Sequence, residues 1–289
     1  MDNKITIRRT VIYCVITFAL TWMLAALIPL MGMAYGGMES LVIFALCMFM
    51  PALGNVLTRI LTRQGFRDFK LAPRLKGNGR NYLFAYFSFI ALIYLGVSVY
   101  YLIYRKQFDL TVSIMWNLGA AKPNALLIQI MSLILATVLA PVINIVPTLG
   151  EEIGWRGYLL YGLKNSCGSV KAVLFTGLIW GIWHAPMIAM GHNYGTGYPG
   201  YPYTGILMMI VFCVFIGIIE GYITLRTGSV FPAAICHSAI NGLASVGLLF
   251  CNTAEYQTLI GPAYTGIITF LPTILFAVYI LHRIKKEGL

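Results

Sequence analysis

A chain of 289 residues with 59% hydrophobic and 10% charged residues, and a mean hydropathy of +0.81, falls far short of the roughly one-quarter charged residues of a soluble domain. This excludes a soluble globular fold and points to an all-α polytopic membrane protein, with residues 1–289 forming a single membrane domain. The formal net charge of +11 does not indicate a nucleic-acid partner, because Lys and Arg collect at the ends of apolar segments, as the positive-inside bias requires.

Lys4, Arg8 and Arg9 precede a first apolar stretch that resembles a signal peptide. It runs on without an obvious small-residue cleavage site, so it is expected to be a retained span. At about 20 apolar residues per crossing, the predicted spans are 11–31, 41–58, 83–104, 125–146, 172–190, 204–225, 230–250 and 265–282, eight transmembrane helices in all. The connection between the second and third carries Arg59, Arg63, Arg67, Lys70, Arg74, Lys76 and Arg80 against Asp68 alone, and the tail reads His282-Arg283-Ile284-Lys285-Lys286. Both termini and the 59–80 loop are therefore predicted to be cytoplasmic, in what is expected to be a bacterial cytoplasmic membrane. Alternation then puts Lys164, Lys171 and Arg226 inside and the 191–203 loop outside. Arg105, Lys106 and Lys122 fall outside, against the bias.

Between the fourth and fifth spans lies the short segment 151–163, which opens on Glu151-Glu152-Ile153-Gly154-Trp155-Arg156. Asn124 is expected outside and Lys164 inside, so residues 125–163 cross once. As one straight helix they would measure about 58 Å, nearly twice the hydrocarbon core. The stretch must break, and Pro141, Pro147 and Gly150 mark where. It is either a full span followed by a re-entrant helix or a span broken mid-membrane. Broken backbone at depth persists only where it is buried or lines a wet cavity, so both versions predict a cavity around the glutamates.

Carboxylates within a bilayer are costly and persist mainly where they pair or do chemistry. Thr148 and Glu151 fit a capping box, which gives Glu151 a purely structural reading. Glu152 and Arg156 stand at i, i+4 in the favourable acid-first order, so they are expected to pair and leave Glu151 to work. His184 lies in an apolar span, with Trp180 one turn earlier on the same face. His237 and Asn241 project to one side of the seventh span. Glu220, near the cytoplasmic end of the sixth span, is a minor candidate expected to pair with Arg226 or to reach water. His192 and His282 read as ordinary surface residues. The six cysteines are scattered singly, without a CxxC pair, so no disulfide framework or thiolate metal site is indicated.

A carboxylate beside a histidine can take a proton from water and return it to a leaving amine. A second histidine with an Asn amide can stabilise the oxyanion of a tetrahedral intermediate. Together they describe amide hydrolysis without a Ser or Cys nucleophile. The alternative is a His₂Glu zinc set, Zn2+ held by Glu151, His184 and His237 with a fourth position open to water. No HExxH helix is present, so such a site would gather its ligands from three separate helices.

The set Glu151-Glu152-x-x-Trp155-Arg156, Trp180-x-x-x-His184 and His237-x-x-x-Asn241 resembles the three signature motifs of the CPBP family. That family comprises the type II CAAX prenyl endopeptidases and bacteriocin-processing or abortive-infection relatives. The resemblance spans about residues 125–250 and includes Gly228-Ser229-Val230-Phe231-Pro232; Trp180 departs from it, standing where the second motif usually has Phe. It implies eight transmembrane helices around a membrane-embedded cavity and an intramembrane endopeptidase. Glu151 and His184 would activate water, His237 and Asn241 would hold the oxyanion, and Glu152 with Arg156 would keep the site in shape. The family's metalloprotease label leaves the zinc alternative open. The implied partners are a peptide or lipidated-protein substrate and the surrounding membrane lipid, with no nucleic acid. Readings from other classes are a transporter or proton pathway, although the EExxWR stretch is not repeated elsewhere, and a non-catalytic immunity factor.

Overall fold

A computed structural model describes residues 3–110, 125–253 and 255–289. Their regular structure is helical: α1 (Asn3–Leu30), α2 (Met38–Cys47), α3 (Met50–Leu61), α4 (Gly79–Ile103), α5 (Ala125–Ile143), α6 (Ile145–Gly154), α7 (Leu160–Cys167), α8 (Ser169–Trp183), α9 (Ala185–Ile188), α10 (Tyr203–Thr227), α11 (Phe231–Leu243) and α12 (Ile267–Glu287). One isolated bridge joins Phe108 to Cys251. Leucines and valines on the outer faces of these helices, such as Val15, Leu95, Leu135 and Leu275, are exposed, as expected of surface that meets acyl chains rather than water.

Six stretches among the described residues are long and apolar enough to cross a membrane: Thr6–Leu30, Met38–Leu61, Gly79–Ile103, Tyr203–Thr227, Phe231–Phe250 and Ile267–Glu287. A seventh forms if the bent pair Ile130–Ile143 and Ile145–Cys167 counts as one span. The fifth expected span, 172–190, is the shorter apolar helix α8, which ends at Trp183 before Pro186 in α9. The protein is thus an integral membrane protein with a polytopic helical fold. The placements expected for Lys122 and Asn124 lie outside the described residues.

The predicted break is present and falls between two of its expected markers, Pro141 and Pro147. Pro141 sits inside α5, the helix interrupts at Asn144, and the axis turns by 42°. The backbone groups freed there are satisfied by the small polar residues of α11. The Asn144 N–H donates to Ser238 Oγ at 3.1 Å, and the Ser238 hydroxyl donates to the Ala140 carbonyl at 2.7 Å. A break at membrane depth needs such partners.

Thr148 is not a helix cap, because α6 already begins at Ile145. Its hydroxyl bonds the carbonyls of Asn144 and, across to α11, Ala234 at 3.1 Å. The capping-box reading of Thr148 and Glu151 is corrected accordingly.

Two small-residue stripes set the packing. Gly150 and Gly154, four residues apart on α6, lie against the start of α3. A Cβ at Gly150 would sit 2.7 Å from the Met48 carbonyl oxygen, and one at Gly154 would sit 2.6 Å from the Pro51 carbonyl carbon. On α8, Gly177 and Gly181 bring its backbone onto that of α10, with added Cβ atoms 2.6 Å from Val214 Cα and 2.5 Å from Ile210 Cα. Close approach through such stripes is how helices associate where lipid removes the hydrophobic drive. Here it presses the glutamate helix and the His184 helix into the middle of the bundle.

Candidate active site

Glu151 and Glu152 occupy the last turn of α6, directly before a π-helical turn over Trp155–Leu159. Such one-turn π segments occur frequently at functional sites. Nothing in the local residue pattern announced it. Asn55 on α3 braces the turn by donating its side-chain amide to the Ile153 carbonyl at 2.9 Å.

The two neighbouring carboxylates have different partners. The indole N–H groups of Trp155 and Trp180 both donate to Oε2 of Glu151, at 3.3 and 2.8 Å. This leaves Oε1 of Glu151 without a protein hydrogen bond among the described residues. Glu152 Oε1 accepts from Arg156 Nη1 and from His237 Nδ1, both at 2.9 Å. Arg156 also pairs through Nη2 with Glu220, and Glu152, Arg156 and Glu220 are all fully buried. The pairing expected for Glu220 is therefore corrected. It meets Arg156 in the interior, while Arg226 turns to the Tyr222 hydroxyl and lies 3.7 Å from Glu287. The distance in sequence between Glu220 and Arg156 hid this contact, and the lone Glu in the otherwise apolar α10 was the signal for it.

Trp180 lies at the centre of these contacts. Its ring lies 4.3 Å from the Arg156 guanidinium carbon, its centroid is 5.1 Å from that of His237, and its carbonyl accepts from His184 Nδ1 at 3.0 Å. A carbonyl can only accept, so His184 carries its proton on Nδ1 and presents Nε2 as a lone pair. The Nδ1–H of His237 is likewise directed at a carboxylate. Orientation of this kind suits a general base and equally a metal ligand.

Glu151, Trp180, His184, His237 and Asn241 line one cavity of about 440 Å³. His192 lines it too, and its Nδ1 lies 3.0 Å from the Tyr35 hydroxyl. That corrects the expectation of an ordinary surface residue; His282 is exposed in the basic tail, as expected. Burial pushes His192, in the loop beyond α9, down to about 4.

Among the described residues, the set of three potential ligands whose atoms lie within 4.8 Å of one another is Glu152, Glu220 and His237. Both of its carboxylates are already bound to Arg156, so a divalent cation would have to displace a guanidinium held between them. The triplet Glu151, His184 and His237 does not close to that spacing. Among the described residues, these two sets as arranged do not fit a resident metal.

Residues 126–243 match the family model for the type II CAAX prenyl endopeptidase Rce1-like proteins. A 44-residue stretch is 39% identical to a protein named CAAX prenyl protease 2 from Methanococcus maripaludis, covering 15% of this chain and 16% of that protein. The chain thus aligns with only a small part of that relative's length.

Proposed function

We propose that this chain, with its Rce1-like segment at residues 126–243, is an intramembrane endopeptidase. It would hydrolyse a peptide bond in a membrane-associated protein or peptide with water as the nucleophile. One observation carries this reading: Glu151, His184, His237 and Asn241, from three distant parts of the sequence, line a single cavity.

In this proposal water binds between Glu151 Oε1 and His184 Nε2, and its oxygen attacks the scissile carbonyl carbon. Glu151 is the base; the two indoles on Oε2 fix its orientation and direct its other oxygen to the water. The proton then passes to the leaving amine as the C–N bond breaks. The amide of Asn241 and the imidazolium of His237, donating through Nε2–H while its Nδ1–H stays on Glu152, stabilise the oxyanion, and a hydrogen-bond donor in that role is worth about 10²–10³ in rate. Glu152, Arg156 and Glu220 touch no reacting atom and hold His237 and Trp180 in place. A transporter needs none of these directed donors, and the Rce1-like match gives it no support.

In this proposal both termini are cytoplasmic, which puts the Leu41 and Phe44 lining of the cavity at the opposite end of the span Met38–Leu61 from the basic 59–80 loop. Substrate would enter from there or from the lipid. The relative's name refers to a CAAX prenyl substrate, and a lipidated protein is one class this chain would take; an unmodified membrane peptide is the other.

The test is comparative peptidomics of membranes carrying the wild type or Glu151→Gln, each with and without a chelator. Peptides released by the wild type alone, with or without chelator, are the expected result. Identical peptide sets for wild type and variant would overturn the proposal, and loss of release under chelator would reinstate the zinc alternative.

A further inference from the structure

The chain bends at Asn144, and both backbone groups of that residue have partners. Its N–H donates to Ser238 Oγ at 3.1 Å, and its carbonyl accepts from the N–H and the hydroxyl of Thr148, at 3.0 and 2.9 Å. The side-chain amide makes no hydrogen bond among the described residues. Asn144 is half-buried, and it lines the cavity of about 440 Å³ together with Glu151, His184 and Asn241.

An asparagine directly before a helix ordinarily caps it, its side-chain oxygen accepting the N–H of the second or third helical residue. Capping does not account for Asn144. The third residue of α6 is Pro147, which has no N–H. The backbone of Asn144, at φ −102° and ψ 13°, also lies outside the extended region from which a cap reaches forward, and no capping bond forms. Two N–H donors and a carbonyl acceptor thus stand at the wall of the cavity with no task inside the protein.

Building on the protease reading, we infer that Asn144 is a substrate-binding residue whose amide hydrogen-bonds the main chain of the peptide held in this cavity. An Asn amide matches a peptide group, donating to its C=O and accepting its N–H, and it reads no side chain. Asn144 stands seven residues before Glu151, close to two helical turns, so the two share a face about 10 Å apart along the axis. Its short side chain therefore meets a peptide group beside the scissile one and not the reacting carbonyl. On α11, Asn241 follows by three residues the Ser238 that holds the Asn144 N–H, so a bound peptide meets both amides on one wall.

The test measures KM and kcat in nanodiscs for the wild type, Asn144→Ala and Asn144→Ser, on a reporter drawn from the peptides that the wild type releases. Both variants should raise KM about 2–10-fold, the worth of one neutral hydrogen bond, with kcat little changed. Serine caps a helix as well as asparagine does. A wild-type KM in Asn144→Ser beside a raised one in Asn144→Ala would therefore assign the residue to the helix end and overturn the inference. Reporters with one peptide N–H near the scissile bond replaced by an ester oxygen locate the contact. At one position the wild-type KM should rise to that of the variants, whose own KM should not move. An unchanged KM in both variants, or a loss that no ester position cancels, would also overturn it. Should Asn144→Ala fail to fold, Asn144→Ser with the ester series decides. A wild type that cleaves nothing removes the protease reading and this inference together, whereas cleavage with any of the overturning results removes the role of Asn144 alone.

Discussion

The indole of Trp180 donates to Glu151 at 2.8 Å across 29 residues of chain, and the same residue's carbonyl holds His184. A single tryptophan therefore orients both groups assigned to the water. Trp180→Phe keeps the ring over Arg156 and removes only the donor. A hydrogen bond to a charged group contributes about 1.5–3 kcal/mol, so kcat for a cleaved reporter peptide should fall about 10–100-fold with KM little changed. An unaltered kcat would show that this bond does not orient the base.

Glu220 is the buried counter-ion whose partner was not foreseen. Replacing it with Leu leaves the Arg156 guanidinium half-paired in the interior, and breaking a buried pair costs about 3–5 kcal/mol. The single variant should unfold at a markedly lower denaturant concentration than the wild type. Combining it with Arg156→Met should cost less than the sum of the two single losses, because the second change no longer breaks the pair with Glu220, although Glu152 then keeps only His237 as its partner. Additive losses in the double variant would argue against the pairing.

Much of this architecture was legible in the sequence for a physical reason. In a chain that is nearly all apolar, each polar residue set within an apolar run is conspicuous. Glu151, Glu152, Arg156, His184, His237 and Asn241 were all found that way, and the i, i+4 pairing of Glu152 with Arg156 follows from helix geometry alone. What stayed hidden depends on contacts remote in sequence or on backbone irregularity. The Ser238 bond that places the break at Asn144, the π turn at Trp155–Leu159 and the reach of Arg156 to Glu220 have no local pattern. The shortness of α8 escaped because its apolar run continues through His184 and Pro186 into α9, while the helix stops at Trp183. Two of the tryptophans were legible as apolar bulk, but their role as paired donors to one carboxylate oxygen was not.

His192 should make stability depend on pH. Held at about 4 by burial against about 6.5 in an unfolded chain, it binds its proton more readily when unfolded. The stability it confers is complete above about pH 6.5 and is lost as pH falls toward 4. The melting temperature of the wild type should drop relative to His192→Gln across that window and run parallel to it above pH 7. A difference that does not change with pH, or one that grows in the wild type's favour on acidification, would contradict this.

The most direct test of the central claim is the cleavage rate of a reporter peptide by purified protein in nanodiscs, compared between the wild type and Glu151→Gln. Gln keeps the size of the side chain and can still accept from both indoles, but it cannot take a proton from water. A rate about 10²–10⁴-fold lower, with the melting profile unchanged, is the predicted result. A correctly folded Glu151→Gln protein that cleaves as fast as the wild type would remove Glu151 from the chemistry and contradict hydrolysis by carboxylate-activated water at this site.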